Sequence, residues 1–194
     1  MTLSASDLTS AHYRKQLAIK AHAVRTSQSL WSTWDGEQGT WARLLDLTIP
    51  ILGQLHNLSG QTAREYFSQL AAHMTGRPEK ALPVHELPHE QMVRSLTTTG
   101  LVGTFAAKSR GKSEQAARQI GFVKFSGSLS RLALSGSRDV LVTTVAASDS
   151  AEAWQRVTSG DPCDFCAGLA GERTTSTTFE AHDHCSCTAE PLFN

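Results

Sequence analysis

A mainly α fold, a helical bundle followed by a small C-terminal module, is predicted by three observations. Apolar residues recur at helical spacing through most of residues 7–74 and again in segments between 113 and 147. Proline and glycine punctuate the chain from residue 76 onward, marking connections between helices. All four cysteines fall within the last thirty-odd residues, after 162 residues that contain none. These features divide the chain into an N-terminal helical region over 1–76, a Pro/Gly-punctuated helical middle over 77–148, and a Cys/His module over 149–194.

The first helix is predicted from residue 7 to about 34. Tyr13, Leu17, Ala21, Val24 and Trp31 mark one face, and Ser4 to Asp7 supply N-cap candidates. Trp34-Asp35-Gly36 ends it, and a turn follows over Glu37 to Gly39. A second helix starts near Thr40 or Trp41 and carries leucines and isoleucines from Leu44 to Leu58. Pro50 is expected to kink or interrupt it, because proline removes a backbone donor and crowds the preceding turn. A third helix is predicted to begin at Ser59 as its cap and to run through Ala63, Phe67, Leu70 and Met74 until Gly76-Arg77-Pro78. The prolines at 78, 83 and 88 make 77–89 an extended connection. A short helix is expected over Glu90 to Thr99, then a loop from Gly100 to Lys112. Helices are expected over Ser113 to Ile120 and Ser126 to about Ala147, the second interrupted at Gly136. Between them Phe122 to Phe125, bracketed by Gly121 and Gly127, reads as a short strand.

Equal numbers of basic and acidic residues, 18 each, and a 40% hydrophobic content exclude a globally basic nucleic-acid binder and a disordered tail. The charge is unevenly placed. Residues 101–140 hold seven basic residues against Glu114 and Asp139, a net +5, whereas from 146 onward eight acidic residues oppose Arg156 and Arg173, a net −6. Such halves can dock on each other or meet different partners. The polar stretch Met1 to Ser10 lacks a signal-peptide pattern, and Leu44 to Leu58, broken by Asp46, Pro50 and Gly53, is too short to span a bilayer; no membrane partner is expected.

Cys163 and Cys166 form a C-x-x-C pair, and His182, His184, Cys185 and Cys187 follow as H-D-H-C-S-C. Two thiol pairs around one polar loop suit tetrahedral Zn²⁺, which takes Cys sulfur and His nitrogen without directional demands of its own. Disulfides are the competing use of four cysteines, and the lack of a secretory signal favours the metal. Cys163, Cys166, His182 and Cys185 form the preferred ligand set, since both pairs then share an i, i+3 spacing. Cys187 rivals Cys185, and an all-cysteine set omitting His182 stays open. A thiolate-rich site closes its coordination shell and is structural. A catalytic alternative would gather His182, Asp183 and His184 around an open position. His85, Glu86, His89 and Glu90 lie in a Pro-punctuated stretch that reads as a solvated linker. The serines between Ser126 and Ser137 have no histidine partner that the sequence identifies, and no phosphate-loop, nucleophile-elbow or H-E-x-x-H motif occurs.

The run Trp154-Gln155-Arg156-Val157-Thr158, the segment Asp161 to Ala170 around Cys163-Asp164-Phe165-Cys166, and Phe179 to Pro191 around His182-Asp183-His184-Cys185-Ser186-Cys187 resemble the C-terminal signature of phage MuF-like minor capsid proteins. These are head morphogenesis proteins of tailed phages of actinobacteria. Leu30-Trp31, the Ala63 to Phe67 helix and Leu132 to Arg138 fit the same family. Carried over residue by residue, Cys163, Cys166, His182, Cys185 and Cys187 match the family's motif, and the four ligands of a structural zinc are expected among these five. The resemblance also implies a virion protein of the capsid interior near the portal, present in the host cytoplasm during assembly. Its partners would be portal and major capsid proteins, with phage DNA as a further contact, and it would be present in several copies or as a homo-oligomer. Gly171 to Thr178 departs from the family, being short and Thr/Ser-rich where relatives carry a bulkier loop. Two other functions fit the Cys/His cluster: a metal-dependent, treble-clef-like nuclease and a zinc-containing nucleic-acid-binding module.

Overall fold

A computed structural model describes residues 4–158, 160–171 and 173–193; Met1 to Leu3, at the head of the segment read for a targeting signal, and Ser159, Glu172 and Asn194 lie outside the described residues. Three long helices form the body: α1 (Ala5–Ser32), α2 (Trp41–Thr75) and, after two short helices, α5 (Glu114–Ala147). The short ones are α3 (His89–Leu96) and α4 (Gly103–Ser109), joined by a wide π turn over Thr97–Val102. A three-stranded antiparallel sheet of β1 (Ala151–Val157), β2 (Arg173–Thr174) and β3 (Thr188–Phe193), in the order β2-β1-β3, closes the chain. The one-turn helix α6 (Asp164–Gly168) lies between β1 and β2. The mainly α expectation with a small C-terminal module therefore holds, and the module contains a sheet.

The N-terminus of α1 is capped as its sequence predicts. Ser4 Oγ accepts from the Asp7 N–H, and the Asp7 carboxylate accepts from the Ser4 backbone in return. Its buried face matches the predicted one only in part: Trp31 is buried and Tyr13 and Val24 are half-buried. Leu17 and Ala21 are exposed, whereas His12, Gln16, Ile19, Ala23, Ser27 and Trp31 are buried. Polar side chains tolerate burial when hydrogen-bonded, and each of these has a partner. Gln16 donates to Ser59 O and Thr62 Oγ1, Ser27 donates to Ser126 Oγ, and His12 Nε2 lies 3.3 Å from Thr188 Oγ1 and 3.2 Å from Ser137 Oγ.

Pro50 and Ser59 do not break α2, which runs for 35 residues. One buried stripe, Leu44, Thr48, Leu52, Leu55, Ser59, Ala63, Phe67 and Leu70, continues past both positions. Burying that stripe outweighs the roughly 3 kcal/mol that an interior proline costs. Ser59 caps nothing: its hydroxyl donates to Gln16 Oε1 and accepts from the Ser137 N–H of α5. Gly76, with φ at +75°, ends α2 as expected.

The expected loop over Gly100 to Lys112 is helical as far as Ser109, and the expected strand at Phe122 to Phe125 lies within the unbroken α5. The glycines that suggested breaks instead let helices approach. A Cβ at Gly121 would fall 1.9 Å from Thr104 Oγ1 of α4, and one at Gly136 would fall 2.1 Å from the His56 carbonyl oxygen of α2. Trp31, Trp34, Trp41 and Phe125 form an edge-to-face aromatic cluster against this stretch of α5. The segment over 77–88 is extended, as predicted, and lies against α2 and α5: Leu82 N–H donates to Thr144 Oγ1, and the His85 carbonyl accepts from His56 Nε2 at 3.0 Å.

Gly136→Ala is expected to destabilise the fold by about 3 kcal/mol in urea unfolding, because its methyl would meet a backbone oxygen that cannot retreat without separating α2 from α5. A second expectation concerns acid. Burial pushes His12 down to about 3, so between that value and the 6.5 of the unfolded chain only the unfolded state binds the proton. Stability therefore falls as pH drops below 6.5, by about 2 kcal/mol between pH 7 and pH 5. His12→Gln should flatten this slope in denaturation measured at both values.

Candidate metal centre

The connection from β1 to β3 spans 158–187 and carries two tight turns that face each other. In the first, Cys163 sits at the start of α6, and its carbonyl accepts from Ala167 N–H, which brings Cys166 back over it. In the second, Cys185 N–H donates to His182 O, and His184 takes a left-handed conformation with φ at 65°. That turn is rare for a residue with a Cβ, and it directs Cys185 and Cys187 inward.

Two sets of donors result. Cys163, Cys166 and His182 lie mutually within 4.8 Å, as do Cys166, Cys185 and Cys187, so Cys166 belongs to both. His182 Nε2 stands 3.0 Å from Cys163 Sγ and 3.3 Å from Cys166 Sγ, and Cys166 and Cys185 Sγ are 3.7 Å apart. Two sulfurs on a tetrahedral zinc would be about 3.8 Å apart, and a sulfur and a nitrogen about 3.5 Å. His182 Nδ1 donates to the Asp183 carbonyl at 2.6 Å. A carbonyl only accepts, so this bond fixes the proton on Nδ1 and leaves the Nε2 lone pair facing the sulfurs, the tautomer a metal needs. These Cys and His side chains could hold a metal ion. The structure brings the five predicted residues into one cluster, with Cys166, Cys185 and Cys187 buried and Cys163 and His182 at the surface.

The electrostatics favour thiolate at Cys185 and Cys163, whereas the hydrogen bond to Cys185 and burial push the Cys187 thiol up. A hydrogen bond from Cys187, with the Arg138 guanidinium nearby, pushes the Cys185 thiol down to about 4 despite its burial. The Cys166 N–H lowers the Cys163 thiol, whereas burial raises Cys166 to about 11. Basic side chains from the helices hold the second turn. Arg138 donates from Nε to Cys187 O at 3.0 Å and from Nη2 to Cys185 O at 3.1 Å. Lys20 donates to His184 O and Ser186 Oγ, and Arg131 pairs with Asp183 at 2.9 Å. The basic middle and the acidic module thus meet internally at Arg131. Neither Arg138 nor Lys20 was legible as part of the site, because only the packing of α5 and α1 brings them to the turn.

The residues of the catalytic alternative are dispersed. His182 turns to the sulfurs, Asp183 pairs with Arg131, and His184 packs on Gly127 of α5, where a Cβ would lie 2.6 Å from its Nε2. His85, Glu86, His89 and Glu90 are in no metal-donor group among the described residues. Two serines do find histidines within the helical body, Ser137 with His12 in a buried contact and Ser135 with His56 in a half-buried one.

The fold and cluster define a helical protein with a small C-terminal sheet and a Cys/His cluster that could hold a metal. The chain matches the VG15 protein family over residues 3–194 and belongs to it. That family, of viral gene 15 proteins, points to a phage-encoded protein. No curated protein and no solved structure matches the chain significantly. No helix among the described residues is long and apolar enough to cross a membrane.

Because Cys166 stands in both donor sets, Cys166→Ser is expected to abolish metal binding by the cluster, while Cys163→Ser weakens it. Metal binding displaces the protons of its ligands. With Cys185 already a thiolate at neutral pH, a divalent metal on Cys163, Cys166, His182 and Cys185 should release about one to two protons rather than three, as read by an indicator in weak buffer.

Proposed function

We propose that this protein is a structural component of a phage head, a minor capsid or head morphogenesis protein of the MuF-like kind, whose C-terminal module is closed by a structural zinc. The observation that carries the reading is the thiol-rich cluster whose Cys166, Cys185 and Cys187 are built into the hydrophobic core beside Phe67, Leu70, Val140 and Val145 of the helices. A centre used for packing stiffens a joint and needs no open coordination position. Membership of a phage protein family and the C-terminal signature around Cys163 to Cys187 support the same reading.

In this role the helical body docks on portal and capsid subunits inside the head, in several copies. The exposed Arg110 and Lys112, at the turn between α4 and α5, face outward and suit DNA phosphates in a salt-sensitive, sequence-independent way. Zinc is the metal that best fits three thiolates with one imidazole, or four thiolates.

Two measurements test the reading. Elemental analysis of protein purified without chelator should give about one zinc per chain, with thiols protected until chelator is added. Co-expression with the portal and major capsid proteins of the same phage should place the chain in purified procapsids. A chain that sediments free of procapsids would remove the head-assembly role.

A further inference from the structure

Arg138 projects from the middle of α5 and is 2% exposed. A buried guanidinium is costly without an anion, yet no carboxylate pairs with it among the described residues. The adjacent Asp139 faces solvent. Arg138 instead spends Nε and Nη2 on the carbonyls of Cys187 and Cys185, and its Nη1 is buried with no hydrogen-bond partner. A second buried cation, Arg156, sits on the same Phe179 ring, 4.0 Å from its centroid against 5.1 Å for Arg138. Lys20 reaches the same turn from α1, also in no ion pair among the described residues. Positive charge therefore accumulates beside Cys185 and Cys187, and the carboxylate at the turn, Asp183, is already taken by Arg131.

We infer that Arg138, with Lys20 beside it, is the counter-ion of an anionic, thiolate-rich metal centre. The inference rests on the proposed zinc site. A divalent metal with three thiolates and one imidazole carries −1, which offsets one of the two helix cations, and with four thiolates −2, which offsets both. Arg138 acts as a positioning residue: its fork holds the two carbonyls that flank Ser186, and its charge stabilises the sulfur-metal centre through space. Metal affinity and the docking of the module on α5 are then coupled, each strengthening the other.

The test is a zinc titration of the reduced, metal-stripped full chain against a chromophoric chelator, for wild type, Lys20→Met, Arg138→Lys and Arg138→Met. Arg138→Met should weaken zinc binding about 10- to 100-fold. Arg138→Lys, which keeps the charge and loses the fork, should stay much closer to wild type. Lys20→Met should weaken binding about threefold to tenfold. Lys20 is only half-buried, so its variant carries the test if Arg138→Met does not fold. The Co²⁺-loaded proteins supply a second readout. Removing a cation raises the sulfur lone pairs in energy and should move the sulfur-to-cobalt charge-transfer band to longer wavelength in both Met variants. Wild-type zinc binding with unchanged variants and an unmoved band would overturn the inference alone. So would an Arg138→Lys defect as large as that of Arg138→Met. A wild-type chain that binds no zinc would overturn the metal centre itself.

Discussion

The unbroken helix α5 and the small residues along it set the terms for everything packed around it. Gly136 lets the α2 backbone approach until the His56 carbonyl occupies the space of a side chain, and Gly121 does the same for Thr104 of α4. Next to Gly136, the Ser137 N–H reaches Ser59 Oγ on α2, so the close approach is also a hydrogen-bonded one. At Gly127 the same helix receives His184 and Asp183 from the C-terminal turn. Larger side chains at these positions would hold the helices and the turn apart, and α5 would lose its contacts with α1, α2, α4 and the sheet.

The C-terminal module is joined to the helical body by chemistry as well as by packing. Cys166, Cys185 and Cys187 share one hydrophobic core with Leu8 of α1, Phe67 of α2 and Val142 of α5. Around it runs a buried polar seam. Thr9 donates to Glu190 of β3 and lies 2.8 Å from Tyr66 Oη, Gln155 of β1 donates to the other Glu190 oxygen, and His12 stacks on Tyr66 near Thr188. Seams of this kind contribute modest net stability, but a wrong register leaves their groups unpaired at a cost of about 1–3 kcal/mol each. The polar seam therefore selects the orientation in which the sheet meets the helices, and the cations of α1 and α5 hold the Cys/His turn in it.

The parts of this architecture that were legible in the sequence are those with a strong local signature. The Ser4 cap, the stop at Gly76, the extended Pro-rich strap and the Cys/His pairs all depend on chemistry within a few residues of chain. The misreadings have a common origin. Gly121, Gly127, Pro50 and Ser59 carry a local preference for a break or a cap, and long-range burial overrides it in α2 and α5. The face of α1 was only partly legible because His12, Gln16 and Ser27 are buried by partners 40 or more residues away, which no local pattern announces.

By itself the sequence determined that the chain is mainly helical, that its cysteines form one group, and which side chains can donate to a metal. These properties follow from periodicity, turn chemistry and ligand type, all local in the chain. Tertiary structure alone decided that α2 and α5 run without interruption, that His182 meets both Cys163 and Cys166, and that Arg138 and Lys20 arrive beside Cys185 and Cys187. Helix continuity there is a matter of apolar area buried against other helices, and the charge around the cluster is a matter of through-space distance. Neither quantity exists until the chain has folded.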